Sequence, residues 1–344
     1  MSFMSHLILI SIGFLSTVIS IIFLRPIAFK IKLLDYPDAR KRHKGKIPLI
    51  GGISVFSGVI VYLIYVDTLS FVAETILTVS ALFLILGIYD DFRNLRPRIK
   101  LFIQLFGVAF MIYLSGIKIE SLGFFFGLPH QLNLGLLAIP FSIISIVGLM
   151  NAFNMIDGLD GQAGLLSAIA IIGICFFGLS QVSSDLYEIM VIIFSGLMAF
   201  LIFNFAPTNK MKVFLGDGGS LSLGFLISIL LVYCSQVLKL FSPSFSLWCV
   251  AIPLFDFFSV IILRKFKKQK LIVANRDHIH HFLETFNLSK IIISLLTSSL
   301  GIMFLIIGYY LEVNFPLFSF WVFMAIFMLY LTIRFYYQII IKST

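Results

Sequence analysis

An all-α, polytopic integral membrane protein is the fold class that the sequence predicts, and three observations predict it. The 344 residues are 60% hydrophobic and 12% charged, with a mean hydropathy of +1.08, which is far too apolar for a soluble globular domain. The apolar residues form unbroken runs of about 17–25, the length that carries a helix across a hydrocarbon core of about 30 Å. They do not alternate with period two, as barrel strands would, and a helix satisfies its own backbone in lipid. Basic residues, finally, collect in alternate loops between the runs.

Taken in order, the runs lie near 7–29, 49–66, 72–89, 99–116, 133–150, 163–180, 187–205, 213–233, 246–263, 290–311 and 315–338, giving about eleven transmembrane helices. The first reads as an uncleaved anchor, because Met1 to His6 lacks a basic segment and the basic residues follow the apolar run. All but Lys118 and Lys239 of the 25 Lys and Arg residues lie in odd-numbered loops, in the C-terminal tail or, for Arg25, at the end of the first span. The positive-inside rule then puts the N-terminus outside and the C-terminus in the cytoplasm, as an odd number of spans requires. Membrane flanking therefore accounts for the net charge of +9, and no nucleic-acid partner is indicated. Cys175, Cys234 and Cys249 all fall inside predicted spans, where they read as apolar filler. Without an internal repeat or a hydrophilic insertion, residues 1–344 form a single transmembrane domain.

Carboxylates divide the two faces more tellingly than the basic residues do. Asp90, Asp91, Asp157, Asp160 and Asp217 stand where spans meet cytoplasmic loops. Three separate loops thus bring acidic groups to one membrane face, which is how a site for a hard cation such as Mg2+, or Mn2+ in its place, is assembled. The cytoplasmic loops near 30–48, 90–98, 151–162, 206–220 and 264–289 are accordingly the predicted active site.

The densest of these is Asn151 to Gln162, a glycine-punctuated turn carrying Asn154, Asp157 and Asp160 between two apolar runs. Ionised groups beside hydrocarbon cost several kcal/mol each unless donors or a cation replace the water. The adjacent Asp90-Asp91 pair admits two readings, a cation site or a solvated helix end balanced by Arg93, Arg96 and Arg98. Gly216-Asp217-Gly218-Gly219-Ser220 suits close approach of backbone N–H groups to an anion at a helix start, or is merely a capped turn. Arg276, His278, His280 and His281 could hold diphosphate oxygens or a transition metal, and no Cys completes a closed zinc site. The basic loop with Lys41, Arg42 and His43 ends in Ile47-Pro48-Leu49-Ile50-Gly51-Gly52, a shaped turn back into the membrane, although a positive-inside flank explains its charge equally well. Asp256, about two turns inside the ninth run, is either functional or paired with a neighbour such as Arg264.

In this order on one face, these segments resemble the polyprenyl-phosphate N-acetylhexosamine-1-phosphate transferase family, glycosyltransferase family 4, along nearly the whole chain. The likeness rests on Arg40-Lys41-Arg42-His43 with Ile47 to Gly52, on Asp90-Asp91, on Asn151 to Gly161, on Phe214 to Ser220, and on His278-Ile279-His280-His281. The His-Ile-His-His form is similar to the branch that transfers N-acetylglucosamine-1-phosphate to undecaprenyl phosphate, not to the branch that handles the muramoyl-pentapeptide nucleotide. One departure is Asn94, where the family's aspartate-rich motif often has a third Asp.

The resemblance implies that the phosphate of undecaprenyl phosphate attacks the sugar-bearing phosphorus of a UDP-N-acetylhexosamine, releasing UMP, at the cytoplasmic face of a bacterial inner membrane. N-acetylglucosamine is the favoured sugar, ahead of N-acetylgalactosamine, N-acetylfucosamine and N-acetylquinovosamine. It implies Mg2+ on Asp217, with Asp160, Asp90 and Asp91. It gives catalytic roles to Asp90, Asp91, Asp157 and Asp160, and substrate contacts to Asn154, Arg276, His278, His280, His281, Lys41, Arg42 and His43. Related enzymes also suggest a homodimer. The competing class, a transporter or flippase, is disfavoured because transporters put ionisable groups near the bilayer midplane, and here the spans are nearly clean apart from Asp256.

Overall fold

A computed structural model describes residues 3–37, 45–124, 130–177, 183–268 and 278–337, and they are mostly helical. The helices are α1 (Phe3–Ile31), α2 (Gly51–Tyr65), α3 (Phe71–Arg93), α4 (Pro97–Ser115), α5 (Ala138–Ile156), α6 (Gln162–Cys175), α7 (Ser184–Asn204), α8 (Gly216–Val232), α9 (Pro243–Cys249), α10 (Ala251–Phe266), α11 (Ile279–Glu284), α12 (Lys290–Asn314) and α13 (Pro316–Phe335). Among the described residues, eight helices are long and apolar enough to cross a membrane, or nine if α9 and α10 count as one span. Each predicted run therefore has a helix, but two fall short: α2 has 15 residues and α6 has 14. At 1.5 Å per residue these reach only about 22 Å, less than a hydrocarbon core of about 30 Å.

The ninth run, expected to be one straight span, is broken. Its halves α9 and α10 meet at 86°. Pro253, the third residue of α10, has no N–H to donate to Cys249, so a helix continuing from α9 would lose a rung there and clash with its ring. Among the described residues the helices are joined by a short antiparallel pair, β1 (Leu34–Asp35) with β2 (Ile47–Pro48), which closes the neck of the basic loop.

At the centre stands α8, every residue of which is buried except Asp217. Such an all-round apolar helix belongs inside a bundle, and it is packed by α2, α3 and α5. Glycine allows the approach. A Cβ on Gly87 of α3 would lie 2.3 Å from the Gly218 nitrogen, and one on Gly52 of α2 would lie 2.2 Å from the Gly219 Cα. Small residues of this kind let helix backbones touch where lipid offers no hydrophobic drive. The start of α8, and Asp217 with it, is thereby held against the ends of its neighbours.

Candidate active site

The loop before α8 is shaped by the end of the basic loop. Phe214 N–H donates to the Pro48 carbonyl at 2.9 Å, and the N–H groups of Gly51 and Gly52 donate to Phe214 and Leu215 at 2.8 and 2.9 Å. Pro48, Gly51 and Gly52 thus act as a shaped turn, as their types suggest, and they dock the 47–52 segment on the Gly-Asp-Gly turn. Gly216 has φ +76°, and a Cβ there would lie 2.7 Å from Asp91 Oδ2, so glycine is required twice over.

Asp90 and Asp91 occupy the last turn of α3. Asn94 ends that helix in the left-handed region at φ +48°, with its N–H on the Asp90 carbonyl at 2.8 Å. Asn tolerates this conformation, so the neutral residue at that position serves as a helix stop. One Asp90 oxygen accepts from Leu95 N–H at 2.7 Å, and the other lies 2.7 Å from Lys100 Nζ. Asp91 accepts from Asp217 N–H at 3.2 Å, and its Oδ2 is buried without a hydrogen-bond partner.

Lys100, in the first turn of α4, is a residue that the sequence reading missed. Its ammonium lies 2.5 Å from Asp217 Oδ2 as well as 2.7 Å from Asp90, with Asn154 Oδ1 at 3.5 Å. Taken as part of the positive flank, it nonetheless falls inside the predicted apolar run 99–116, and that misplaced charge was the available signal. Asn154, on the last turn of α5, donates to Asp217 Oδ1 at 3.0 Å and to Ser220 Oγ at 2.9 Å.

Asp157 caps α5 in a non-helical conformation, and its carboxylate has no hydrogen bond or ion pair among the described residues. Burial, then the charges of Asp217, Asp91, Asp160 and Asp35, pushes this carboxyl well above the ordinary carboxylate range. Asp160 is held apart from the cluster by Lys212, and its carbonyl accepts from Ser294 Oγ at 2.7 Å. Directly after Asp160 the turn is fixed at Gly161, with φ +74°, whose N–H donates to Asn204. The same Asn204 donates to the Val213 carbonyl at 2.7 Å, tying the Asp160-Gly161 turn to the segment that leads into the Gly-Asp-Gly turn.

The histidine segment forms its own group. His278 Nδ1 lies 2.8 Å from Asp256 Oδ2, and His281 Nδ1 lies 3.1 Å from Glu284. His280 is in α11, but its side chain is outside the described set, and Lys41, Arg42, His43 and Arg276 lie outside the described residues altogether.

The structure therefore joins Asp90, Asp91, Asn154 and Asp217 directly, sets Asp157 in their electrostatic field, and pairs Asp160 with Lys212. Among the described residues, no three His, Cys, Asp or Glu side chains converge tightly enough to enclose an ion. The donor chemistry nevertheless fits a hard cation. Asp90, Asp91 and Asp217 offer carboxylate oxygens, one of them a buried and unpartnered Asp91 oxygen, and an ammonium already bridges two of the carboxylates.

Against known proteins, residues 73–235 match the family model described as glycosyl transferase family 4. A Haemophilus influenzae protein named undecaprenyl-phosphate alpha-N-acetylglucosaminyl 1-phosphate transferase is 39% identical over 280 residues, which is 80% of this chain and 78% of the relative. A Pasteurella multocida protein of the same name is 35% identical over 276 residues, covering 79% of this chain and 77% of the relative.

Proposed function

The chain belongs to glycosyl transferase family 4, and we infer from this that it transfers N-acetylglucosamine 1-phosphate to undecaprenyl phosphate. As donor we propose UDP-N-acetylglucosamine, with UMP as the leaving group. The observation that carries the reading is the meeting of Asp90, Asp91, Asn154 and Asp217, drawn from the ends of three separate helices, with the Lys100 ammonium bridging Asp90 and Asp217.

Phosphoryl transfer asks for positioning and neutralisation of anionic oxygens more than for covalent help. Asp217, Asp90 and Asp91 are the carboxylates we assign to a divalent cation, with Asp160 a more remote candidate behind its Lys212 pair. Mg2+, when bound, supplies charge neutralisation at the diphosphate oxygens. Lys100 would meet a phosphate oxygen from the same side, and Asn154 would hold Asp217 in place through its amide. Asp157, which has no partner of its own among the described residues, is the group we assign to take a proton from the acceptor phosphate. The segment with Arg276, His278, His280 and His281 would grip the donor's phosphates. Lys41, Arg42 and His43 would line the mouth.

For topology we propose eleven membrane crossings in a bacterial cytoplasmic membrane, with α2, α6 and the bent α9–α10 pair included, the N-terminus outside and this cluster on the cytoplasmic face. The basic asymmetry of the loops supports that orientation. The test is to incubate detergent-purified protein with Mg2+, undecaprenyl phosphate and a panel of UDP-sugars while following UMP. UMP from UDP-N-acetylglucosamine is expected. UMP from no donor sinks the activity, and UMP only from a 6-deoxy sugar changes the donor.

A further inference from the structure

We propose that Asp256 is a positioning residue for His278: it fixes the tautomer of the ring and the entry of its segment, so that the histidines meet the donor's diphosphate in register. The inference rests on the proposed role of the His-rich segment, and it adds a residue on α10 to the machinery.

Asp256 is 1% exposed on an otherwise apolar stretch of α10, where an ionised carboxylate is expensive unless donors replace its lost water. Among the described residues, one dipeptide meets both of its oxygens. Asp256 Oδ1 accepts the N–H of Ile279 at 2.6 Å, and Oδ2 lies 2.8 Å from His278 Nδ1. A carboxylate only accepts, so the pairing selects the form of His278 that carries its proton on Nδ1 and turns Nε2 to the opposite edge of the ring. The other end of this short helix is held as well. Phe282 packs under the guanidinium of Arg334, 5.4 Å from its ring centroid, and Arg334 is fully buried.

A helix cap alone is a weaker account of the same contacts. Capping is worth about 1 kcal/mol and is ordinarily done by a Ser or Asp of the same segment, with no need for a buried carboxylate on a neighbouring helix. A side chain that binds both the backbone and the ring of one junction controls orientation, in the way that a carboxylate behind a working histidine sets its tautomer.

The experiment uses the full chain in detergent, with UDP-N-acetylglucosamine, undecaprenyl phosphate and Mg2+, and compares Asp256→Asn, His278→Gln and the double variant. Asp256→Asn should raise the donor KM or lower kcat/KM for the donor by about 10-fold or more, the scale of losing a carboxylate that orients a histidine, while leaving the acceptor KM unchanged. The double variant should be no worse than His278→Gln alone, within about 2-fold, because residues that act through one another are not additive. Additive losses, a fall in Tm with unchanged kinetics, an acceptor KM shift, or a fully active His278→Gln would each overturn the proposal.

A second measurement does not depend on any Asp256 variant folding. Nitrogen-15 histidine spectra of the wild-type protein, with His278 assigned by its loss in His278→Gln, should show the proton on Nδ1. A proton on Nε2 of the neutral ring refutes the assignment even if the kinetics agree. If wild-type protein releases no UMP from any donor, the activity itself has failed, and the spectra still decide the Asp256–His278 pairing.

Discussion

Lys100 and Asp217 meet at 2.5 Å across the junction of α4 and α8, and the same ammonium reaches Asp90 at 2.7 Å. One cation therefore neutralises two carboxylates that would otherwise repel. Replacing it with Met leaves both without that counter-charge. Breaking a fully buried pair costs about 3–5 kcal/mol, but the Asp217 side chain is 35% exposed, so solvent screening reduces the expected loss to about 1–2 kcal/mol. The expected result for Lys100→Met is a lower Tm that Mg2+ restores more than it raises the wild-type value, together with UMP release reduced by about 100-fold or more, the effect of removing one placed charge from a reacting site. Thermal unfolding with and without Mg2+, alongside turnover, checks both halves.

Asp217→Asn separates charge from shape. The isosteric side chain can still meet Asn154 after an amide flip, and α8 is buried at every position except this one, so the bundle should hold. Turnover should fall by about 10²–10³-fold, the range for a single electrostatic group at a reacting centre. Size-exclusion profile and Tm should remain near wild type. Near-normal turnover would remove Asp217 from the metal site.

Asp157 gives a pH prediction with a defined sign. Its folded-state carboxyl is raised above the ordinary range by burial and by Asp217 and its neighbours, so the folded protein holds a proton that the unfolded chain has released. The stabilisation from that proton is complete at low pH and is lost as pH rises through the raised value. Without divalent cations, Tm should therefore decline as pH climbs above the ordinary Asp range, and Asp157→Asn should flatten the decline. A cation entering the cluster favours loss of the same proton through its charge, so apparent Mg2+ affinity should rise with pH over that interval, by at most about tenfold per pH unit. Titrations of Mg2+-dependent Tm at several pH values measure it.

Much of this site was legible in the sequence, and the parts that were not share a cause. Asp90-Asp91, Asn154 and Asp217 could be found because carboxylates and glycines at span ends are costly features with few bland explanations. Lys100 and Lys212 were hidden by the positive-inside rule, which accounts for any basic residue on that face and so cannot distinguish a flank from a counter-ion. Asp256 was visible as a charge within a span, but His278, which it meets, lies 22 residues downstream, a separation that helical periodicity does not bridge. The break at Val250 and the short α2 and α6 were missed because composition measures how apolar a run is and says nothing of where its backbone bends.

Close packing of α3 on α8 supplies the last prediction. Gly87→Ala would put a Cβ 2.3 Å from the Gly218 nitrogen and 2.4 Å from the Asp217 carbonyl carbon, against backbone that cannot rotate away. The helices must separate, and because Asp91 holds the Asp217 N–H across that contact, the site opens with them. Overpacking of this kind costs about 1–3 kcal/mol, and activity should fall further than the lost stability explains. Gly148→Ala is the control: its Cβ would meet only the Phe257 ring at 3.9 Å, and both Tm and turnover should stay near wild type. If Gly87→Ala lowered Tm but left turnover of the folded fraction unchanged, the contact would be structural only, and the coupling of α3–α8 spacing to the carboxylate cluster would be refuted.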